Sequence, residues 1–118
     1  MLPKRFRLTK KKDFEKVLKS KKFFSEKFIF AKVIKNELRI SRFGFIVTLK
    51  ISKKATERNR IRRQLHEIIR NNLDQIKKGF DFVFIVRPEI KNKSFKEIKE
   101  SLLNLLLKEG LIEKTILN

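Results

Sequence analysis

Arginine and lysine are concentrated in one segment of this chain, residues 53–70. Among the first residues of the segment, 53–63, Glu57 is the single acid that could offset their positive charge. The positive side chains of the segment are Lys53, Lys54, Arg58, Arg60, Arg62, Arg63 and Arg70. Like charges one turn apart on a helix cost a few tenths of a kcal/mol per pair. Such crowding is expected where an external polyanion neutralises it. Because arginine binds phosphate through paired hydrogen bonds, the segment predicts contact with nucleic acid.

The same segment contains the chain's single histidine, His66. A protein-only hydrolytic site needs carboxylates around a metal, or histidines acting as acid and base. The arginines around His66 are expected to lower its pKa, and Glu57 and Glu67 stand too far apart on a helix to share a metal easily. We therefore expect no catalytic residue and no protein-bound metal, and interpret His66 as an exposed side chain in contact with RNA or solvent.

The whole chain shares this positive charge. Its 118 residues include 32 Lys and Arg against 13 Asp and Glu, a formal charge of +19. Such a field attracts nucleic acid or anionic lipid. We expect no membrane partner, since no apolar run approaches the ~18 residues of a membrane span and the basic N-terminus lacks a signal peptide's apolar core. The absence of cysteine fits a reducing cytoplasm, and the length predicts a single domain, residues 1–118.

RNA is favoured over DNA as the partner. A helix-turn-helix reader of DNA needs two short helices joined by a tight turn, whereas predicted strands flank the basic helix here. Exposed phenylalanines beside basic residues suit stacking on unpaired bases. We therefore expect an RNA partner and no DNA partner.

The elements that position these residues follow from apolar periodicity and capping signals. A basic arm leads into a short helix that has Thr9 as a plausible N-cap and ends near Ser20. The pattern then predicts strands at 28–34 and 43–51, with a possible short strand at 38–40, a helix from between 53 and 57 to about 78, and a strand at 80–86. Gly79 is expected to end the second helix. A capping box of Ser94 and Glu97 begins the last helix, which Gly110 ends, and the tail 111–118 is expected to fray.

This order predicts an α+β fold: a two-layer α/β sandwich of order α-β-β-α-β-α, with a possible extra short strand. Residues 43–86 form a β-α-β unit, for which base rates favour a right-handed crossover. In the central helix the apolar residues from Ile61 to Ile76 fall on one stripe that should face the sheet. Asn59, Arg60, Arg63, His66 and Arg70 fall on the exposed side. Arg58 falls on the apolar side, which is tolerable only where the first turn projects past the sheet.

At these residues the chain resembles the protein subunit of bacterial ribonuclease P. That family's central helix carries Arg-Asn, a basic pair and later Arg residues, matched here by Arg58, Asn59, Arg62, Arg63 and Arg70. The resemblance covers nearly the whole chain. The family's N-terminal helix is matched here by Arg7, Leu8, Asp13, Phe14 and Val17. The strand that leads into the central helix is matched by Gly44, Val47, Lys50 and Ala55. The strand that follows the helix is matched by residues 80–87.

The resemblance implies a ribonucleoprotein endonuclease that removes the 5′ leader from precursor tRNA. The catalyst would be the RNA subunit, which binds Mg²⁺, so the protein would bind RNA and bear no catalytic site. Lys53, Lys54, Arg58, Asn59, Arg60, Arg62, Arg63, His66 and Arg70 would bind the catalytic RNA. Phe14, Leu18, Phe30 and Lys50 would line a cleft for the single-stranded leader. The family also implies a left-handed β-α-β crossover, in place of the right-handed one that base rates favour.

Three departures from the family pattern lower the expected charge or stacking. His66 replaces an arginine, Leu49 stands where a lysine is common, and Leu18 and Ala31 stand where the cleft often has aromatics. The alternative function, from a different class, is a ribosomal or ribosome-associated structural RNA-binding protein.

Overall fold

The fold is an α+β arrangement of one four-stranded sheet and three α-helices, described by a computed structural model over residues 1–113. The α-helices are α1 (Lys11–Leu18), α2 (Ala55–Asn71) and α3 (Phe95–Lys108). The strands are β1 (Phe23–Glu26), β2 (Ile29–Lys35), β3 (Arg42–Ile46) and β4 (Phe80–Val86). Short 3₁₀ turns cover Lys4–Phe6, Leu73–Gln75 and Pro88–Asn92. The predicted α+β class is confirmed.

The sheet has the order β1-β2-β4-β3, with β3 parallel to β4 and the other neighbours antiparallel. The chain passes from β3 through α2 to β4, so the predicted β-α-β unit is present. The hand of its crossover stays a prediction. Strand β4 lies in the interior of the sheet, and its residues from Asp81 to Phe84 are buried, as its nearly continuous apolar run predicts.

The helices cover the two faces of the sheet unequally. The face that carries Phe43, Phe82 and Phe84 packs against α2 and α3 and forms the main core. In that core the rings of Phe43 and Phe82 stack with centroids 5.1 Å apart. The opposite face carries Val83 and Ile85 and is covered only in part, by α1 through Val17. Part of that face therefore stays open. Within residues 1–113 no helix is long and apolar enough to cross a membrane.

Several element boundaries differ from the prediction. The extra strand is β1, which pairs with β2 through a turn at Lys27 (φ 55°), while residues 38–40 form a bend. Strand β3 ends at Ile46 rather than at residue 51, because the chain turns there and the amide of Ile51 donates to the carbonyl of Thr48. The predicted cap at Thr9 is wrong, since the N-cap residue of α1 is Lys10 and makes no side-chain bond.

Helix α2 is also shorter than predicted. It ends at Asn71, and the Asn72 side chain donates to the carbonyl of Ile68 at 2.7 Å, which satisfies an acceptor of the last turn. Gly79 has the expected positive φ, 89°, but it lies in the turn before β4 and does not end the helix. In contrast, the capping box of Ser94 and Glu97 is present, and Gly110 follows α3 with φ 70°.

The ends of the chain also contribute to the core. Leu2 is buried, and Arg7 forms a parallel bridge with Phe43, so the N-terminal arm lies along the outer edge of β3. At the other end, Leu111 and Ile112 are buried and Ile112 bridges Ile76. The rest of the tail predicted to fray, residues 114–118, lies outside the described residues.

Candidate RNA-binding surfaces

The cationic residues of α2 divide into two groups. Arg58 and Arg62 turn back to the loop before the helix, residues 47–54: Arg58 Nη1 donates to the Ser52 carbonyl at 2.9 Å and Arg62 Nη2 to the Val47 carbonyl at 3.1 Å. Arg58 can therefore lie on the apolar side of the helix, because its head group reaches the loop. These two arginines hold both ends of the loop against the helix.

The second group points outward. Arg63 is exposed and Arg60 is half-exposed, and neither side chain makes a hydrogen bond within residues 1–113. Lys53 and Lys54 are exposed just before the helix, and Asn59 is exposed while accepting from Arg62 at 2.9 Å. Arg70 is exposed but forms an ion pair with the Glu67 carboxylate, with Nη2 3.0 Å from Oε2. Apart from Arg70, the outward cations thus present donors that have no partner within residues 1–113, just before α2 and along its first three turns.

Glu57 lies in the first turn of α2, and its side chain binds the loop that precedes the helix. Its carboxylate accepts from the Ser52 hydroxyl at 2.8 Å and lies 3.8 Å from the Lys91 ammonium. The bond from Ser52, with the nearby cations, lowers the pKa of Glu57. The single acid of the first turn therefore stays ionised and fixes the entry to the helix, where a negative charge also suits the helix dipole.

His66 is buried, which contradicts its predicted exposure. Its Nδ1 accepts a hydrogen bond from the Leu2 amide at 3.4 Å, and its ring lies 4.7 Å from the Phe45 ring. The residue is 6% exposed because the N-terminal arm covers this side of α2. Burial, with the charges of Arg7, the N-terminus and Arg62, lowers the pKa of His66 to about 4. The expected direction of the pKa shift is correct, but His66 is a neutral packing residue and does not face RNA.

The stability of the fold should therefore depend on His66 in mild acid. Between its pKa of about 6.5 in the unfolded chain and about 4 in the folded chain, only the unfolded chain binds the proton. The free energy of unfolding should fall by about 2 kcal/mol as the pH is lowered through this range. Urea titrations at pH 6.5 and pH 5 measure the fall, which should be largely absent in His66→Phe. An equal fall in the variant would contradict the assignment.

A groove opens on the face of the sheet that α1 leaves uncovered. It encloses about 710 Å³, and its lining includes Phe30 and Ile85 from the sheet, Leu49 and Lys50 from the loop, and Arg87 after β4. The Arg87 guanidinium lies 5.6 Å from the centre of the Phe30 ring. A half-exposed aromatic ring with two cations beside it can stack on a base and bind its phosphate. The structure thus brings Phe30 and Lys50 together.

Phe14 and Leu18, the other predicted cleft residues, lie beside this groove on α1. They pack on Leu8, Val17 and Val83 in a small cluster that reaches the groove through Ile85. The Phe14 ring fills the space above Gly44, where an added Cβ would lie 2.5 Å from its Cε1. Both side chains are half-buried, and neither lines the groove: Phe14 instead lines a separate, smaller cavity with Gly44 and His66.

The expectation for Ala31 is wrong, because its side chain lies on the other face. Ala31 is fully buried in the main core, opposite Phe84, while its neighbours Phe30 and Lys32 face the groove side. Sequence reasoning also missed Arg87, although a cation directly after the central strand was a usable signal. Among residues 1–113, no three His, Cys, Asp or Glu side chains lie close enough together to bind a metal.

Comparison with known proteins identifies the family. The family model "Ribonuclease P" matches residues 2–110. The chain belongs to the ribonuclease P protein family. It is 43% identical to the ribonuclease P protein component of Clostridioides difficile over 84% of this chain and 87% of the relative. It is also similar to the structure of the ribonuclease P protein from Thermotoga maritima, with 36% identity and a TM-score of 0.78 over 85% of this chain and 94% of the other.

The ribonuclease P protein of Staphylococcus aureus shares the fold at 24% identity, with a TM-score of 0.84 over 92% of this chain and 98% of the other. The family confirms the function expected from the sequence, a ribonuclease P protein component with a role in tRNA processing. It also implies an RNA partner in a ribonucleoprotein complex. The ribosomal alternative is therefore not favoured.

Proposed function

We propose that this chain is the non-catalytic subunit of an RNA-based endonuclease, and that it binds both the catalytic RNA and the 5′ leader of precursor tRNA. One observation carries the proposal: a single loop, residues 47–54, joins two different surfaces. It places Lys50 in the groove beside Phe30 and then leads through Lys53 into the cationic helix α2. A subunit built in this way can hold one RNA on each surface.

The catalytic RNA is assigned to the outward side of α2. Arg60 and Arg63 offer guanidinium groups without protein partners in the described chain, beside the exposed Lys53 and Lys54. A folded RNA presents many phosphates at close spacing, and arginine pairs with phosphate through two hydrogen bonds. Contacts of this kind also lower the repulsion between the catalytic RNA and its tRNA substrate.

The leader is assigned to the groove, because its lining suits a single strand. Phe30 offers an aromatic face to a base, while Lys50 and Arg87 offer cations to the backbone. Stacking accepts any base, so this arrangement fits leaders of different sequence. The substrate's 5′ end would thereby be held in register with the RNA active site.

Magnesium is assigned to the RNA subunit. The phosphates of a folded RNA are oxygen ligands of the kind that Mg²⁺ prefers, and within residues 1–113 no three His, Cys, Asp or Glu side chains cluster as metal ligands. The ion would support hydrolysis of the phosphodiester at the RNA, whereas the role of this chain is to bind RNA. We also propose a cytoplasmic location, in line with the chain's lack of cysteine.

Reconstitution at low Mg²⁺ tests this function. The chain should stimulate removal of the leader when mixed with a ribonuclease P RNA and precursor tRNA, because its cations replace part of the screening that Mg²⁺ supplies. The chain without RNA should cleave nothing. Absence of stimulation would contradict the subunit assignment, and cleavage by the RNA-free chain would contradict the non-catalytic role.

The groove assignment is tested by Phe30→Ala in the reconstituted complex. Loss of one stacked base should weaken binding of precursor tRNA about five- to tenfold and leave mature tRNA unchanged, because mature tRNA has no leader. Equilibrium binding of both RNAs measures the difference. The matched control is Phe95→Ala, an exposed phenylalanine at the start of α3, on the opposite face of the sheet. An equal loss for both RNAs would contradict the assignment.

A further inference from the structure

Phe23 is a large apolar side chain that the fold leaves in solvent. It is 62% exposed at the start of the edge strand β1, whereas its neighbour Phe24 is buried in the main core. Burial of Phe23 is therefore not what stabilises this strand. An exposed aromatic ring offers a face on which a base can stack.

The pairing register places Phe23 on the same face as the groove. Phe23 pairs with Lys32, and Ser25, two residues on, pairs with Phe30. Since side chains two residues apart share a face, Phe23, Lys32 and Phe30 all lie on the side of the sheet that α1 covers only in part. Diagonal neighbours of this kind lie about 7 to 8 Å apart, within reach of one strand of nucleotides.

The surroundings of Phe23 are positively charged. Lys21 and Lys22 precede it and are exposed. Lys32 donates to the carbonyl of Leu18 at 2.8 Å, and it has no carboxylate partner within the described chain. Its charge is therefore available to an anion between the two rings. An aromatic ring, a cation and a second aromatic ring match the base, phosphate and base of a single strand.

We infer that Phe23 is a second base-stacking site, which continues the leader path from Phe30 across Lys32 to the β1 edge of the sheet. The inference rests on the proposed function, because it extends the groove assigned to the leader. It assigns Phe23 to a nucleotide of the same strand as the base at Phe30. Only leaders long enough to span both rings benefit from it.

The test compares leader lengths in the reconstituted complex with ribonuclease P RNA. Phe23→Ala should weaken binding of a precursor with a long leader about five- to tenfold. Binding of a precursor with a one- or two-nucleotide leader, and of mature tRNA, should not change. Phe23→Tyr should bind the long leader as well as the unsubstituted chain does, because tyrosine keeps an aromatic face at this position. Phe95→Ala should have no effect. Equal loss for all substrates, or no loss for any, would overturn the inference.

Two further measurements separate the possible failures. If Phe30→Ala weakens leader binding while Phe23→Ala does not, the second site is wrong and the groove assignment stands. If neither variant affects leader binding, the groove assignment fails as well. Sedimentation of the free protein, with and without Phe23→Ala, tests whether this surface instead binds a second copy of the chain. A change of association state in Phe23→Ala, without an effect on leader binding, would make the surface a protein contact and overturn the inference.

Discussion

Replacing Arg60 and Arg63 together by alanine should weaken assembly with the catalytic RNA at least tenfold. Both side chains point outward without protein partners in the described chain, so each is free to bind a phosphate. A hydrogen bond to a charged group contributes about 1.5 to 3 kcal/mol. The plot of log affinity against log salt concentration should also become shallower by about one for each arginine removed. Binding titrations at several salt concentrations measure both quantities.

Arg39→Ala is the matched control for each of these arginines. Arg39 is exposed in the turn between β2 and β3, at the opposite end of β3 from the loop that leads into α2, and its loss changes the net charge by the same amount. A general effect of net charge would appear equally in Arg39→Ala and in Arg63→Ala. If the two single variants had the same affinity and salt dependence, α2 would not be the surface that binds the catalytic RNA.

Replacing Arg42 by alanine should lower the free energy of unfolding by about 3 kcal/mol. Arg42 binds the Asp81 carboxylate through Nε at 3.0 Å and Nη2 at 2.7 Å, and Asp13 of α1 lies 3.4 Å from Nη1. The hydrogen bond to Asp81 raises the pKa of Arg42 above its ordinary value. Without Arg42, the nearly buried Asp81 would keep only the Asn36 amide as a side-chain partner. A buried charge without its counter-ion is strongly destabilising.

Urea denaturation of Arg42→Ala, with Arg39→Ala as a control for charge, measures this loss. A second variant tests the cause. In Arg42→Met with Asp81→Leu both charges are absent, so much of the stability should return. If the double variant were as unstable as Arg42→Ala, the unpaired carboxylate would not be the cause of the loss.

Apolar periodicity and capping residues correctly predicted the buried face of α2 and the start of α3. The stripe from Ile61 to Ile69 is buried as its periodicity predicts, and the capping box of Ser94 and Glu97 begins α3. Strand β1 was missed because it has only four residues and because Ser25, Glu26 and Lys27 resemble a turn. Lys27 does turn the chain, but it does so inside a hairpin.

The errors at the candidate sites have non-local causes. His66 lies off the apolar stripe of its own helix, and it is buried because Leu2, 64 residues away, lies against it. Periodicity within α2 carries no information about that arm. Strand β2 is apolar on both faces, so its sequence does not indicate whether Phe30 or Ala31 faces the groove. Pairing with β4 decides this, since Ala31 lies opposite the buried Phe84 and Phe30 opposite Ile85.

The N-terminal arm has a consequence for how copies of this chain behave toward one another. Leu8 donates to the Phe43 carbonyl at 2.9 Å, so the arm occupies hydrogen-bonding positions along the edge of β3. The remaining edge strand, β1, is short and is flanked by Lys22 and Lys27, which discourage addition of a foreign strand. Mutual repulsion between strongly cationic molecules acts in the same direction. Aggregation through the hydrogen-bonding edges of the sheet is thus opposed by both shape and charge.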